Sequence, residues 1–404
     1  MLNQPPDRKQ ALRANSLVEI KPLIELCKAG KLFEVQAWIA AGGPVNPPQE
    51  LDKRASRSPL EVAIDTGFHS MVEVLLKAGV EFSRHGYSAP MSKALQLRRF
   101  DLVRLMVEHG YDASTVNLRD VFNTWDADLV EYFIDRGADA ETGRPLAYAL
   151  CQRIRTALRV FKRYRERFPS FQEQANIALR HHCREGNLKW VSLMIWAGAD
   201  PLSRGVYEVE DQRDADEGIS AVGLAALYGH YEILALKQVR LDPKHPSAFE
   251  VARYARKESG LRVLEKLLKA GMEVNDQPNG GCSILQSLLT SMDWEARLSS
   301  LRRWNEDQGL DSQEARDKME AVHNLAENGA RWLPLGSGEI NAVRRSLLKL
   351  TPEYTVEFVG IMSHFRATER ANLDALMRSR SIANHVAKYQ ERVAKLLGTM
   401  SGEA

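Results

Sequence analysis

Cysteine is scarce in this chain: Cys27, Cys151, Cys183 and Cys282 are the only four in 404 residues, and no two form a C-x-x-C pair. That scatter matches neither the ligand spacing of a zinc site nor a disulfide framework, so each reads as a small apolar filler. Long hydrophobic runs are missing as well. No segment approaches the roughly 18 apolar residues that span a bilayer, and the opening MLNQPPDRKQALRANS lacks the apolar stretch of a signal peptide, so the expected address is cytoplasmic, without membrane contact. Charge of a single sign is absent: 55 Lys and Arg against 53 Asp and Glu leave a net charge of +2, too even for a surface coated against nucleic acid, although local patches remain open. Catalytic signatures are lacking too. There is no G-x-x-x-x-G-K-[ST] phosphate loop, no G-x-S-x-G nucleophile elbow and no H-E-x-x-H metal helix, and the glycines of PLGSGEI near Gly336 do not join a strand to a helix. The expectation is a protein that is not an enzyme and holds no cofactor and no metal.

What the chain does contain is apolar residues, 44% of the total beside 27% charged, enough for a large folded core. They are arranged in a repeat. In LEVAIDTGFHSMVEVLLKAGVEF, residues 60–82, Leu60, Ala63 and Ile64 follow helical spacing, and so do Met71, Val74, Leu75 and Ala78 after a break at Gly67. Two helices of about ten residues are too short to persist alone in water and require tertiary packing. Glycines twelve residues apart frame three such segments: Gly30 and Gly42, Gly67 and Gly79, Gly186 and Gly198. The first of each pair falls between two helices and the second ends the outer one, where a left-handed backbone favours glycine. Copies ending at Gly110, Gly137, Gly271 and Gly329 keep only the second glycine. Spacing then locates unmarked units at 144–168 and around GISAVGLAALYGHYEILALKQVRLDP.

These residues resemble the ankyrin-repeat family. SPLEVAIDTGFHSMVEVLLKAGVEF is similar to the family's T-P-L-H-x-A-x-x-G-H-x-x-V-x-x-L-L-x-x-G-A-D unit at Ser58, Pro59, Leu60, Ala63, Gly67, Val72, Leu75, Leu76 and Gly79. GNLKWVSLMIWAGADP and DLVEYFIDRGADA match its second half, and LAALYGHYEILAL its middle. The tetrapeptide that opens the unit departs elsewhere, reading APMS, RPLA, ISAV and SAFE. The resemblance implies an all-α solenoid of helical hairpins with short β-turn finger loops and a helical C-terminal cap. Along the chain this reads as a flexible segment 1–18, a repeat solenoid 19–280, a unit with an extended charged hairpin insertion at 281–335 carrying Trp294 and Trp304, and helical repeats with a cap at 336–404. Thr351 followed by Pro352 is a helix start.

The functional expectation is a protein-protein interaction module, an adaptor, scaffold or inhibitor that binds a protein partner through its concave face and finger loops. Candidate contact residues on the fingers are Arg84, Tyr87, Arg204, Tyr207, Glu208 and Asp211, the last two within the acidic run YEVEDQRDADEG. The alternative is a nucleic-acid-associated regulator using the run CQRIRTALRVFKRYRERF. There Ile154, Leu158, Phe161 and Phe168 face the stack, while Arg153, Arg155, Arg159, Lys162, Arg163, Arg165 and Arg167 are opposed within the run only by Glu166. A solvated helix face is the plain reading of that run. The cluster His181, His182, Cys183 holds adjacent residues pointing about 100° apart on a helix, a poor chelating arrangement.

Overall fold

In the computed structural model of the chain, which describes residues 12–48, 58–82, 90–211, 218–255, 257–275, 283–285, 288, 313–331, 337–365 and 374–401, both glycines of each twelve-residue pair are left-handed. Gly30 and Gly42 have φ of 68° and 78°, Gly67 and Gly79 of 70° and 83°, Gly186 and Gly198 of 69° and 113°. At Gly67 the demand is double, because a Cβ would stand 2.5 Å from Nη1 of Arg99, which donates to the Gly67 carbonyl at 2.7 Å. Where the sequence drops the first glycine, the backbone keeps the conformation. Arg98 and Trp125, twelve residues before Gly110 and Gly137, sit at φ of 54° and 64°. Side chains there carry the left-handed penalty that glycine avoids.

Among the described residues helix makes up 64% and strand 2%, so the fold class is all-α. The chain divides into two compact units, Met1–Ala175 and Asn176–Ala404. The first contains helical hairpins: α1 (Leu17–Lys28) with α2 (Leu32–Ala40), α3 (Pro59–Thr66) with α4 (His69–Lys77), α5 (Pro90–Gln96) with α6 (Phe100–Glu108), α7 (Leu118–Phe122) with α8 (Ala127–Ile134), and α9 (Pro145–Cys151) with α10 (Thr156–Tyr164). The first helices α1, α3, α5, α7 and α9 pack each on the next. Among the second helices, α2 packs on α4, α4 on α6 and α8 on α10. The unmarked unit expected at 144–168 is the α9–α10 hairpin.

Buried faces follow the repeat with one adjustment. Leu60, Ala63, Ile64, Met71 and Leu75 are fully buried, but Val72 and Leu76 join them in place of Val74 and Ala78. The reason is that α4 is covered on more than one side, by α3 and by the second helices of both neighbouring hairpins, which widens its apolar stripe. At the start of α3, Ser58 accepts from the Glu61 amide while the Glu61 carboxylate accepts from the Ser58 amide. This capping box satisfies two orphan donors with the sequence Ser-Pro-Leu-Glu. Order begins earlier than the sequence suggests, since Arg13 bridges Asn46 and Ser16 caps α1.

Helix α11 (Ser170–Arg184) begins in the first unit and continues into the second. In the second unit follow α12 (Leu188–Ala197), a two-residue antiparallel ribbon of β1 (Arg204–Gly205) and β2 (Ile219–Ser220), α13 (Ala221–Leu227), α14 (Pro246–Arg253), α15 (Lys257–Lys269), α16 (Gln313–Glu327), α17 (Ser337–Lys349), α18 (Pro352–Ile361), α19 (Arg380–His385) and α20 (Gln390–Ser401). After α13 the expected second helix is reduced to a single 3-10 turn, Ile233–Ala235. Pro352 takes the first turn of α18 as its sequence implies, although the Thr351 side chain accepts no capping bond from the helix. The core of this unit runs through Val251, Leu264, Val322, Leu325, Phe358 and Met362, all fully buried.

One device recurs in both units and measures the repeat. Asn46, four residues after Gly42, accepts from the Glu81 amide at 2.8 Å and donates to the Gly79 carbonyl. Asn275, four residues after Gly271, accepts from the Arg331 amide at 2.6 Å and donates to the Gly329 carbonyl at 3.0 Å. The partners are 35 residues apart in the first case and 56 in the second. The later pair is therefore 21 residues further apart. Trp294 and Trp304 lie between its members in sequence, outside the described residues.

Candidate functional site

The finger between β1 and β2 is built on a buried arginine. Arg180, fully buried on α11, donates Nε to the Val206 carbonyl at 2.6 Å, and Nη1 to Ser203 Oγ at 3.0 Å and to the carbonyls of Arg204 and Ser203 at 3.2 and 3.3 Å. The planar fork of a guanidinium suits several carbonyl acceptors at once, which a lysine could not serve. Gly205 lies against it at φ 149°, where a Cβ would stand 2.7 Å from Arg180 Nη2. From the other side, Glu250 on α14 accepts from the Ser220 amide at 2.9 Å and from its hydroxyl, and pairs with Arg204 Nε at 3.0 Å. Ser220 in turn caps α13 by accepting from the Gly223 amide.

On this base stand side chains that face solvent. The Arg184 guanidinium carbon lies 5.1 Å from the Tyr207 ring centroid and 5.6 Å from that of Tyr228, and Glu208 approaches Arg184 at 3.6 Å. Such cation-aromatic contacts contribute about 0.5–1 kcal/mol each at exposed sites. A hydrogen bond with the Tyr228 hydroxyl pushes the already high pKa of Arg184 further up. The backbone beneath is fixed as well: His230 Nε2 lies 3.2 Å from the Arg184 carbonyl, and a Cβ at Gly186 would stand 2.5 Å from the His230 ring. Tyr228 is 46% exposed and Arg204 and Glu208 are exposed, while Tyr207 and Asp211 are half-buried.

The structure thus brings Arg204, Tyr207, Glu208 and Asp211 onto one finger and adds Arg180, Arg184, Tyr228 and Glu250, which sequence reasoning missed. Arg180 gave no signal, standing as one basic residue among several in NIALRHHCR. Glu250 carried none, because it joins the finger from a separate helix. Arg84 and Tyr87 lie outside the described residues, as do Asp214, Asp216 and Glu217 of the acidic run.

The arginine-rich run is arranged differently from its sequence appearance. Helix α10 spans only Thr156–Tyr164, with Arg153 at a left-handed φ of 63° and Arg155 at the helix entry. Ile154, Ala157, Val160, Phe161 and Tyr164 are buried, whereas Leu158 and Phe168 are half-buried. Carboxylates from α8 and its C-terminal end oppose the arginines one repeat away. Arg159 pairs with Asp128 at 2.7 Å and Glu131 at 3.0 Å, Arg163 with Glu131, and Arg167 with Asp135 at 2.9 Å. Arg165 lies 3.3 Å from Glu166. Arg153, Arg155 and Lys162 are exposed. The pairing carboxylates were invisible in the run itself because they sit about thirty residues upstream.

His182 is fully buried with its ring stacked 5.4 Å from Trp190, and Cys183 is buried beside it. Burial pushes the thiols of Cys27, Cys151 and Cys183 up to about 12, so these cysteines are inert fillers. A histidine cluster that the sequence did not suggest is formed by His323, Glu327 and His364, with ligand atoms within 4.8 Å of one another. Its one sequence cue was the i, i+4 spacing of His323 and Glu327; His364 arrives from a later turn. Among the described residues, no helix is long and apolar enough to cross a membrane. The chain matches no protein-family profile and no curated protein.

Proposed function

We propose that this chain is a non-enzymatic binding protein of ankyrin-like architecture, a cytoplasmic adaptor, scaffold or inhibitor that grips a protein partner through its finger loops and the helix row behind them. The architecture is supported by left-handed glycines at twelve-residue spacing and by first helices packed in series in the first unit. Stacked repeats of this kind present extended binding surfaces.

The observation that carries the functional reading is the 203–220 finger. A buried arginine and a glutamate pin its base, while Tyr207, Arg204, Glu208 and Tyr228 are held at its surface. Rigid placement of aromatic and arginine side chains lowers the ordering cost of binding and favours anchor residues. The ion pairs of Arg159, Arg163 and Arg167 with Asp128, Glu131 and Asp135 weigh against the phosphate-binding alternative, because they engage three of the seven basic residues invoked for it.

The test is affinity recovery of the tagged full chain from its native host, with and without nuclease, beside a variant carrying Tyr207→Ala and Glu208→Lys. A stoichiometric protein that survives nuclease and is lost from the variant is the expected result. Partners that disappear on nuclease treatment, or that are retained equally by the variant, would refute the finger as the contact surface.

A further inference from the structure

The triad of His323, Glu327 and His364 has no role in the finger or in the core. His323 and Glu327 are one turn apart on α16, so both project from the same face, with Nδ1 and Oε2 separated by 3.6 Å. His364 ends the 3-10 turn Met362–His364, which follows α18 and packs against α16. The two imidazole rings meet edge to face with centroids 5.5 Å apart.

We propose that these three side chains form a divalent transition-metal site, with zinc as its natural ion. Two imidazole nitrogens and one carboxylate oxygen are the donor set of open zinc sites, whereas calcium and magnesium take oxygen ligands and copper(I) takes sulfur. Bonds of about 2.0–2.2 Å in tetrahedral geometry space ligand atoms about 3.5 Å apart. The observed span of 4.8 Å exceeds that spacing by about 1.3 Å, a difference on the scale of a side-chain rotation.

The backbone on both sides is anchored. On α16, Met319, Val322, Leu325 and Ala326 are buried; beside His364, Met362 and Phe365 are buried. The ligands themselves are not. His323 is half-buried, while Glu327 and His364 are exposed, so packing does not explain why they converge. Their i, i+4 placement on one helix face accounts for the approach of His323 and Glu327, but it leaves the approach of His364 unexplained. The exposed side leaves the remaining coordination positions to water. Occupancy would clasp α16 to the turn after α18, a link between residues 37 apart in sequence at its nearest, and would stabilise the folded unit by an amount that rises with the logarithm of free metal above the dissociation constant.

The experiment is titration of the chelator-treated full chain with Co2+, read by visible d-d absorption, and with Zn2+ by calorimetry. One equivalent of each ion is expected to bind the parent chain. Affinity should fall by at least about 100-fold in His323→Ala and in His364→Ala, more than the roughly 10–100-fold that loss of an outer-shell partner causes. His181→Ala, with far-ultraviolet circular dichroism as the folding check, should bind as the parent does. Glu327→Gln gives a second reading in which helix packing is untouched, and it should bind more weakly than the parent. Absence of Co2+ absorption and Zn2+ heat in the parent, or binding unchanged in both histidine variants, would overturn the site. So would binding lost in His181→Ala alone.

Discussion

Replacing Arg180 separates the two ideas on which the finger rests, that it is rigid and that it is a contact surface. Arg180 is fully buried and serves the carbonyls of Ser203, Arg204 and Val206 at 2.6–3.3 Å, together with Ser203 Oγ at 3.0 Å. Hydrogen bonds from a charged donor contribute about 1.5–3 kcal/mol each in mutational series, and burying the guanidinium has its own desolvation cost. Truncation relieves that cost and lets water reach some of the exposed acceptors. For Arg180→Ala the balance is a loss of about 3 kcal/mol in urea unfolding of the full chain. Arg180→Lys keeps the charge but not the fork, and should lose roughly half as much. Hydrogen exchange should accelerate at the amides of 203–207 and 219–220 before it changes in α14, because the ribbon has only two residues in each strand. Partner recovery should weaken with it, although Arg204, Tyr207 and Glu208 are unaltered. A stability loss below about 1 kcal/mol, or unchanged protection across the ribbon, would refute the view that Arg180 holds the finger.

The remaining expectations concern the repeat and the buried thiols. Leu75→Ala should cost about 2–5 kcal/mol, since Leu75 is fully buried, and a loss under about 0.5 kcal/mol in denaturant melts would contradict the helical register. Arg98→Gly should stabilise the chain by about 0.5–1 kcal/mol, because Arg98 holds a left-handed φ of 54° at the position glycine occupies in the marked copies; destabilisation would mean that the side chain makes contacts worth more than the strain. Cys27, Cys151 and Cys183, with thiols pushed up to about 12 from 9.0, should resist thiol reagents in the native chain at pH 8 and react on unfolding. Their burial also fixes the sign of an alkaline effect. A raised folded pKa contributes stability fully below the unfolded value near 9, and that stability is lost as pH rises toward 12. Melts from pH 8 to pH 11 should decline accordingly, and a flat profile would contradict it.

Helices were legible wherever a single short period governs them. The 12-residue glycine spacing placed the hairpin turns, and apolar spacing placed Leu60, Ala63, Ile64, Met71 and Leu75 in the core, because both signals are local to the backbone that carries them. The shift from Val74 and Ala78 to Val72 and Leu76 was not legible in the apolar spacing alone, which misses what covers the second side of α4, although the repeat resemblance matched Val72 and Leu76. Nor was the reduction of the limb after α13 to one 3-10 turn, although its residues Ile233 and Leu234 are as apolar as those of full helices.

By itself, then, the sequence determined the all-α class and the helical hairpins, because turn geometry and helical period are written in residues a few positions apart. Tertiary structure alone decided which charges are opposed and which polar groups meet. The arginines of α10 look unopposed along the chain and are paired by carboxylates one repeat upstream. Arg180 looks like one basic residue among many and is the buried support of the finger. His364 has no partner near it in sequence and stands beside His323 and Glu327. Coulombic and hydrogen-bonding partners are chosen by distance in space, and in a chain that returns on itself every thirty or so residues, that distance is set by the packing of one hairpin on the next.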